Sequence, residues 1–236
     1  MHGFFKLMEK TMSFLCLKKQ EIRSLCIDSE DELASDTQLQ IPIDFKLRML
    51  VIADTHNCLD DEEITGLEAD VCLLLGDLSA KDIQKIKYNI TTMPIYGVLG
   101  NHDDWKLYDA YGIENIHNKV VDVKGVKIAG LQGSIKYKNT DYPLYTDEES
   151  SNIARSMNGA DVLISHDSPK YFHGEINFAH SGLQGVTDYC VKNKIPLNLH
   201  GHHHCNKKGI LENGTFSMCC FKVKMIDTGT LGTYLV

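Results

Sequence analysis

The sequence predicts an α/β protein whose sheet is covered by helices on both faces. Three apolar segments have the length of a strand: LRMLVIAD, ADVCLLLGD and MPIYGVLGNHD. Residues 59–67 and 80–90, which separate them, have the composition of helices. Strands that are apolar along their whole length, rather than at alternate positions, are typical of a sheet with both faces buried. The alternation of strands and helices therefore predicts the α/β class.

The second half of the chain continues this alternation. We predict, in chain order, two strands turning at Lys124-Gly125, a helix over residues 147–157, a strand that ends at His166, a helix over 181–193, a strand that runs into the histidines after Leu199, and a strand-like tail over 214–236. The main domain is therefore predicted to extend over residues 46–236.

Residues 1–45 differ in composition from the rest of the chain. They contain an amphipathic stretch from Phe4 to Leu25, an acidic run over residues 28–36, and then Pro42. We predict a helical extension with a linker that precedes the main domain. The alternative is that this segment packs on the domain as a first layer.

Composition and charge exclude several classes of protein. The chain has 236 residues, of which 43% are hydrophobic and 24% are charged, as in ordinary globular proteins. No apolar run reaches the ~20 residues that span a bilayer, and no secretory signal is recognisable, so we expect a cytoplasmic protein without a membrane partner. The eight cysteines form no CxxC pair, which favours reduced thiols. The net charge of −8 argues against a protein that wraps long nucleic acid.

Polar residues follow the predicted strands at the point where each strand ends. They are Asp54 and His56 (D-T-H), Asp77 (G-D), Asn101, His102 and Asp103 (G-N-H-D), His166 (S-H-D), and His202 and His204 (G-H-H-H). Ligands of α/β sheets bind at the carboxyl ends of strands, where the loops converge. Each residue alone could be a hydrogen-bonded structural residue, but together they predict one shared site.

The donor types in this set predict a metal site. Carboxylate, imidazole and amide groups together suit Mn²⁺, and also Fe, Zn²⁺, Ni²⁺ or Co²⁺. The candidates are more numerous than one ion needs, so we predict two divalent ions, an arrangement that clamps a displacement at phosphorus. Their charge exceeds that of Asp54, Asp77 and a bridging hydroxide, so the site would attract an anionic phosphoryl group.

In this order, the motifs D-x-H, G-D, G-N-H-D, a later H and G-H-x-H resemble those of the calcineurin-like metallophosphoesterases. The resemblance extends from Lys46 to the C-terminus. It implies a four-layer fold, in which two mixed β-sheets pack as a sandwich and helices cover the outer faces. Asn57 is a small departure from the pattern, because many members of the family carry glycine after D-x-H.

The resemblance also implies a role for each residue of the motifs. The implied metal ligands are Asp54, His56 and His204 for one ion, Asn101, His166 and His202 for the other, and Asp77 as a bridge between the two. His102 would lie beside the phosphate, and Asp103 would orient it. Among the neighbouring residues, we expect structural roles for His200 and His203 and a buried thiol at Cys205, while Asp167 either orients a ligand histidine or has no part in the site.

Two loops supply candidates for substrate binding. Residues 134–145 and 168–180 are rich in aromatic and basic side chains, and Tyr137, Lys170 and Tyr171 are the candidates within them. Aromatic rings can stack on bases, while lysines can meet phosphates. The alternative is that these loops are covered by their own aromatic side chains.

The sequence therefore predicts a dinuclear metal-dependent phosphoesterase. It favours a phosphodiesterase for small molecules or nucleotides, in which a metal-activated hydroxide attacks and His102 is the general acid. One alternative is a phosphomonoesterase, including a protein phosphatase. Another is a non-catalytic interaction scaffold on the same fold, which the intact motifs disfavour. Assembly into a homo-oligomer stays open.

Overall fold

The computed structural model describes residues 38–39, 43–174, 177–231 and 234–235. The predicted helix from Phe4 to Leu25 and the acidic run over residues 28–36 lie outside the described residues and stay predictions. Strand β1 (Gln38–Leu39) pairs antiparallel with β15 (Tyr234–Leu235). The described chain therefore joins its first strand to its last.

A five-stranded mixed sheet contains most of the strands of the first half. Its spatial order is β14 (Lys222–Asp227), β2 (Arg48–Ala53), β3 (Val71–Leu74), β4 (Ile95–Gly97) and β5 (Glu114–Asn115). Strands β2 to β5 are parallel, and β14 is antiparallel to β2. The carboxyl ends of the parallel strands therefore meet at one edge of this sheet.

A six-stranded mixed sheet contains most of the others. Its spatial order is β12 (Lys208–Ile210), β13 (Phe216–Cys219), β11 (Leu197–His200), β10 (Val162–Ser165), β7 (Val126–Leu131) and β6 (Val120–Val123). The four inner strands are parallel, and both edge strands are antiparallel to their neighbours. The predicted turn is confirmed, since Lys124 and Gly125 have φ values of 55° and 86°, as a tight hairpin requires. A short parallel pair, β8 (Ser134–Ile135) and β9 (Leu144–Tyr145), follows β7.

The two sheets pack face to face. One apolar cluster contains Val51 of β2, Leu73 of β3, Ile128 of β7, Ile164 of β10 and Leu199 of β11, all with 0% exposure. Burial of this continuous apolar surface is the main favourable term that holds the two sheets together. The cluster therefore forms the interior of a sandwich.

Helices cover the outer faces of both sheets. Ala80–Asn89 and Leu107–Ala110 pack on the five-stranded sheet, and Asp147–Ser156 and Gln184–Asn193 pack on the six-stranded sheet. A short helix, Thr228–Leu231, follows β14, and two 3₁₀ helices span Asp61–Glu63 and Phe178–His180. The four-layer arrangement of two mixed sheets between helices is confirmed.

The helix predicted over residues 59–67 is wrong. This segment contains only the 3₁₀ helix Asp61–Glu63 and a turn. Gly66 has a φ of 72°, a left-handed conformation that an α-helix cannot continue through. The helix predicted over 181–193 also begins later than expected, at Gln184.

Candidate functional site

The residues predicted at strand ends converge on one edge of the sandwich. Their backbones turn sharply there, with φ values of 52° at Asp54, 45° at His56, 55° at Asp77, 70° at His202 and 50° at His204. In these left-handed conformations the chain turns sharply directly after the strand. The side chains of residues from separate segments can therefore face a common centre.

Asp54 and His56 follow β2, and a buried carboxylate holds their loop in place. Asp82, at the start of the helix Ala80–Asn89, accepts hydrogen bonds from the amide of Asn57 at 2.7 Å and from the amide of Leu59 at 3.2 Å. Asp82 was not among the residues predicted for the site. The signal that could have found it is the capping pattern, in which Asp82 stands three residues after Ser79.

Asp77 follows β3 and packs against the loop after β4. A Cβ atom on Gly100 would lie 2.1 Å from Oδ1 of Asp77, and one on Gly76 would lie 2.3 Å from the Gly100 nitrogen. Only glycine fits at either position, because such approaches are far below any van der Waals contact. The close contact lets the amide of His102 donate to Oδ1 of Asp77 at 2.9 Å.

The first predicted ligand group comes together in the structure. Nε2 of His56 lies 3.1 Å from Nε2 of His204, which in turn lies 3.7 Å from Oδ1 of Asp54. Oδ1 of Asp54 is buried and has no hydrogen-bond partner among the described residues. An unpaired carboxylate oxygen beside two facing imidazole nitrogens is the arrangement that a divalent cation would satisfy. The residues present therefore fit a metal ion.

The second predicted ligand group also comes together. The buried ring of His166 has Nδ1 at 2.8 Å from the Leu75 carbonyl and Nε2 at 2.8 Å from Oδ1 of Asn101. Burial lowers the pKa of His166 to about 4, so the ring is neutral at pH 7 and carries a single N–H. Because Leu75 takes that N–H, the Nε2 lone pair faces the oxygen of Asn101. A cation between them would relieve the repulsion.

His202 completes this second group. Its ring centroid lies 5.0 Å from that of His166, and its Nε2 lies 3.0 Å from the carbonyl of Ala179. Hydrogen bonds of this kind fix the tautomer and direction of ligand histidines, and here they leave the Nδ1 lone pair for a metal. The backbone amide of His202 also donates to Oδ2 of Asp54 at 2.9 Å, which connects the two groups.

The carboxylates of the cluster influence one another strongly. Burial, and then the charge of Asp77, raise the pKa of Asp54 well above its usual value. Burial and Asp77 likewise raise the pKa of Asp103 to about 7. Burial also opposes ionisation of Asp77, but His166 and the amide of His102 outweigh it and lower its pKa. Acidic groups packed this closely call for positive charge among them.

Asp103 has a different position from the one predicted. Its carboxylate accepts hydrogen bonds from the amides of Asp77 at 2.9 Å, Leu78 at 3.1 Å and Gly100 at 2.7 Å. Within the described chain, no hydrogen bond joins it to the ring of His102. Asp103 therefore holds together the loops after β3 and β4, instead of orienting the His102 imidazole directly.

His102 lies at the open side of the cluster, with its ring centroid 6.1 Å from that of His56 and 6.5 Å from that of Tyr142. Burial lowers its pKa despite the opposing charge of Asp77, and Lys138 adds to the lowering. The imidazolium is thus a stronger acid than that of free histidine, although less of it is present at neutral pH.

The structure brings only one of the three substrate candidates to the cluster. The hydroxyl of Tyr137 accepts a hydrogen bond from Nδ2 of Asn101 at 3.1 Å. Lys170 is 5% exposed, and its Nζ lies 3.0 Å from Asp147 and 3.2 Å from Ser181. Tyr171 lines a separate groove beside the helix Gln184–Asn193. The ion pair with Asp147 turns Lys170 away from the predicted ligands. Tyr171 faces the separate groove instead of the cluster.

The loop over residues 168–180 reaches the cluster through other residues, which the sequence did not single out. Ala179 contributes its carbonyl, and the ring of His180 stacks on His202 with centroids 5.0 Å apart and planes inclined by 24°. Asp167 lies 3.8 Å from Nε2 of His203, and among the described residues no hydrogen bond or ion pair joins it to the ring of a predicted ligand. The one available signal was the histidine at the end of the loop.

No helix in the described ranges is both long and apolar enough to cross a membrane.

Comparison with known proteins gives the same fold. A family model for calcineurin-like phosphoesterases matches residues 47–206. A Haemophilus influenzae protein described as uncharacterized is 29% identical over 196 residues, which cover 67% of this chain and 84% of the relative. The crystal structure of TT1561 of Thermus thermophilus has a TM-score of 0.56 and 14% identity, covering 78% of this chain and 98% of that one. This structural likeness concerns the fold alone.

The match to the family model includes every predicted metal ligand, from Asp54 to His204. It also covers more than half of the chain. This chain therefore belongs to the calcineurin-like phosphoesterase family and is a metal-dependent hydrolase of phosphate esters.

Proposed function

We propose that this enzyme is a dinuclear phosphodiesterase acting on small-molecule or nucleotide esters, with Mn²⁺ as its metal. The observation that carries the proposal is the position of Asp77. Its Oδ2 lies 3.9 Å from Nε2 of His56 and 3.7 Å from Nε2 of His166. One carboxylate oxygen thus lies between members of both ligand groups, as a bridge between two ions requires. The oxygen and nitrogen donors suit Mn²⁺.

When bound, two divalent ions would offset the charge of the phosphoryl group and activate water for attack at phosphorus. The protein's own contribution is to position the reacting groups. The amide of His102 is tied to Asp77 at 2.9 Å, so the loop that carries the imidazole keeps a constant distance from the bridging carboxylate. His102 can therefore lie beside the leaving oxygen without being a metal ligand, and donate a proton to it.

The rim of the cluster supports a nucleotide-like substrate. Tyr142, beside His102, is 42% exposed, and Trp105 is 47% exposed. Nζ of Lys138 lies 5.0 Å from the ring centroid of Tyr137 and 5.5 Å from that of Tyr142. Exposed rings with a nearby cation suit a base stacked on the rim with a phosphate next to it.

The test compares turnover of bis-aryl and mono-aryl phosphates, and of cyclic and linear nucleotides, by the Mn²⁺-loaded protein. We expect diesters to be preferred, and Tyr142→Ala to raise KM for nucleotides several-fold. Tyr88→Ala is the matched control, because Tyr88 is 85% exposed on the helix Ala80–Asn89, away from the cluster. Faster turnover of monoesters would favour the phosphomonoesterase alternative. Absence of any hydrolysis with two ions bound would favour the scaffold.

A further inference from the structure

A further group of side chains that could bind a metal, distinct from the two predicted ligand groups, contains His173, His200 and Cys219. Nε2 of His204 lies 3.7 Å from Asp54 in the carboxylate cluster, whereas the ring of His200 lies 5.3 Å from that of His173. One potential ligand atom from each of these three residues lies within 4.8 Å of the other two. Such spacing is compatible with donors around a single ion, and none of the three residues belongs to the predicted dinuclear site.

Two of these side chains have buried nitrogen atoms that lack partners. Nε2 of His200 and Nε2 of His173 are both buried and have no hydrogen-bond partner among the described residues. His200 is 0% exposed, so bulk water does not reach it. Its Nδ1 lies 3.3 Å from the Gly201 carbonyl, which takes the N–H and leaves a lone pair on Nε2. Buried polar atoms without partners are rare and call for an unseen ion or water.

The backbone holds two of the donors rigidly. His200 ends β11 and Cys219 ends β13, and the two residues are direct partners in the register of these parallel strands. Cys219 is 3% exposed, and its thiol donates to the Gly201 carbonyl at 3.5 Å. The Sγ of Cys205 lies 3.9 Å from Nδ1 of His173, so Cys205 is a candidate for a fourth position.

We propose that His173, His200 and Cys219 bind one thiophilic divalent cation, with Zn²⁺ the best match, at a site separate from the dinuclear cluster. Two imidazoles and a thiolate favour Zn²⁺ over Mn²⁺, because sulfur is a soft ligand. Structural zinc is four-coordinate, which Cys205 would complete. Binding deprotonates each coordinating thiol, that of Cys219 and that of Cys205, and releases one proton from each to solvent.

The position of this site gives it a structural role. His173 belongs to the same loop as Ala179 and His180, both of which contact His202. Its ring also stacks on His203, with centroids 3.7 Å apart. An ion at His173 would therefore attach this loop to the strands β11 and β13. The ion would thereby fix the loop that contacts His202, a predicted ligand of the dinuclear site.

Cobalt substitution tests the proposal on the full-length protein. The predicted dinuclear ligands offer only oxygen and nitrogen, so a sulfur-to-cobalt charge-transfer band would report this site alone. We expect the band in Co²⁺-loaded protein, its loss in Cys219→Ala and in His173→Asn, and one metal ion fewer per chain in both. Cys58→Ser is the matched control, because Cys58 is an exposed thiol on the loop of His56, and it should keep the band.

Several outcomes would overturn the proposal. These are a metal-replete wild-type protein without the band, a band unchanged in Cys219→Ala, and a band lost in Cys58→Ser. If Cys219→Ala does not fold, X-ray absorption on the zinc-loaded wild type decides instead. A sulfur neighbour at ~2.3 Å from zinc supports the site, and purely oxygen and nitrogen neighbours exclude it.

Discussion

Asp82 links the helix Ala80–Asn89 to the loop that carries His56, so its removal should weaken both. The residue is 1% exposed and accepts hydrogen bonds from the amides of Asn57 at 2.7 Å and Leu59 at 3.2 Å. It also accepts from the amide of Ser79 at 2.9 Å, which completes the helix cap. Asp82→Ala removes all of these acceptors while leaving every predicted metal ligand in the chain.

The expected loss in free energy of unfolding depends on which donors lose their hydrogen-bond partner. A buried donor left unsatisfied costs ~1–3 kcal/mol, which applies to the buried amide of Leu59. The amide of Asn57 belongs to an exposed residue and can turn to water, whereas the lost helix cap adds about 1 kcal/mol. We therefore expect the free energy of unfolding to fall by about 2–4 kcal/mol. Metal affinity should fall by roughly 10–100-fold, as when other partners that support ligands are removed.

The assays are urea unfolding at pH 7 and calorimetric titration with Mn²⁺. Glu149→Ala is the matched control, because Glu149 has the same place in the cap of the helix Asp147–Ser156 and does not contact the metal loop. It should lower stability by about 1 kcal/mol or less and leave metal affinity unchanged. If Asp82→Ala loses stability but binds Mn²⁺ as tightly as the wild type, the loop does not depend on Asp82 and the reasoning is refuted.

Four further predictions concern the predicted dinuclear site and the N-terminal segment. Asp77→Asn should lower metal content and remove nearly all hydrolysis, and two ions per chain with near-normal activity would contradict the bridging role. His102→Asn should slow hydrolysis of esters with alkyl or ribose leaving groups by ~10²–10⁴-fold and hydrolysis of nitrophenyl esters much less, while metal content stays normal. An equal loss of rate on both kinds of ester would exclude His102 as the general acid. Because the acid must be protonated, turnover of alkyl esters in the wild type should decline as pH rises through the lowered pKa of His102. Removal of residues 1–37 should leave metal content and turnover intact, and a truncated protein that binds two ions but does not turn over would contradict the predicted domain division.

The strand ends could be predicted because apolar runs show where the chain is buried. Asp54 follows β2 directly and His166 follows β10 directly, so each polar residue marks the point at which its strand leaves the core. Parallel strands place such points along one edge, and the convergence of the ligands follows from topology. The four-layer fold itself rested on the resemblance, because periodicity alone does not tell one sheet from two.

Other features depend on contacts that are distant in the sequence. The direction of Lys170 is decided by Asp147, which is remote in the chain, and composition reveals only its charge. Residues 59–67 contain acidic residues that are typical of helix starts, but Gly66 adopts a left-handed conformation and the segment turns back toward β3. Asp82 resembles an ordinary helix cap in the sequence, and its support of the metal loop becomes visible only when Asn57 and Leu59 are brought beside it.

The left-handed conformations in the ligand loops have an energetic consequence. Asp54, His56, Asn57, Asp77, His202 and His204 all have positive φ, which costs a non-glycine residue roughly 1–3 kcal/mol where the surroundings impose it. Hydrogen bonds from the chain itself, such as those that Asp82 and Asp103 accept, hold these loops in their strained conformation. Chelation should therefore leave the loops in place, unlike in small domains that unfold without zinc. Asn57 is not an implied ligand, so glycine there should relieve strain and raise stability. At the predicted ligands the same strain is the energetic cost of positioning their side chains around one centre.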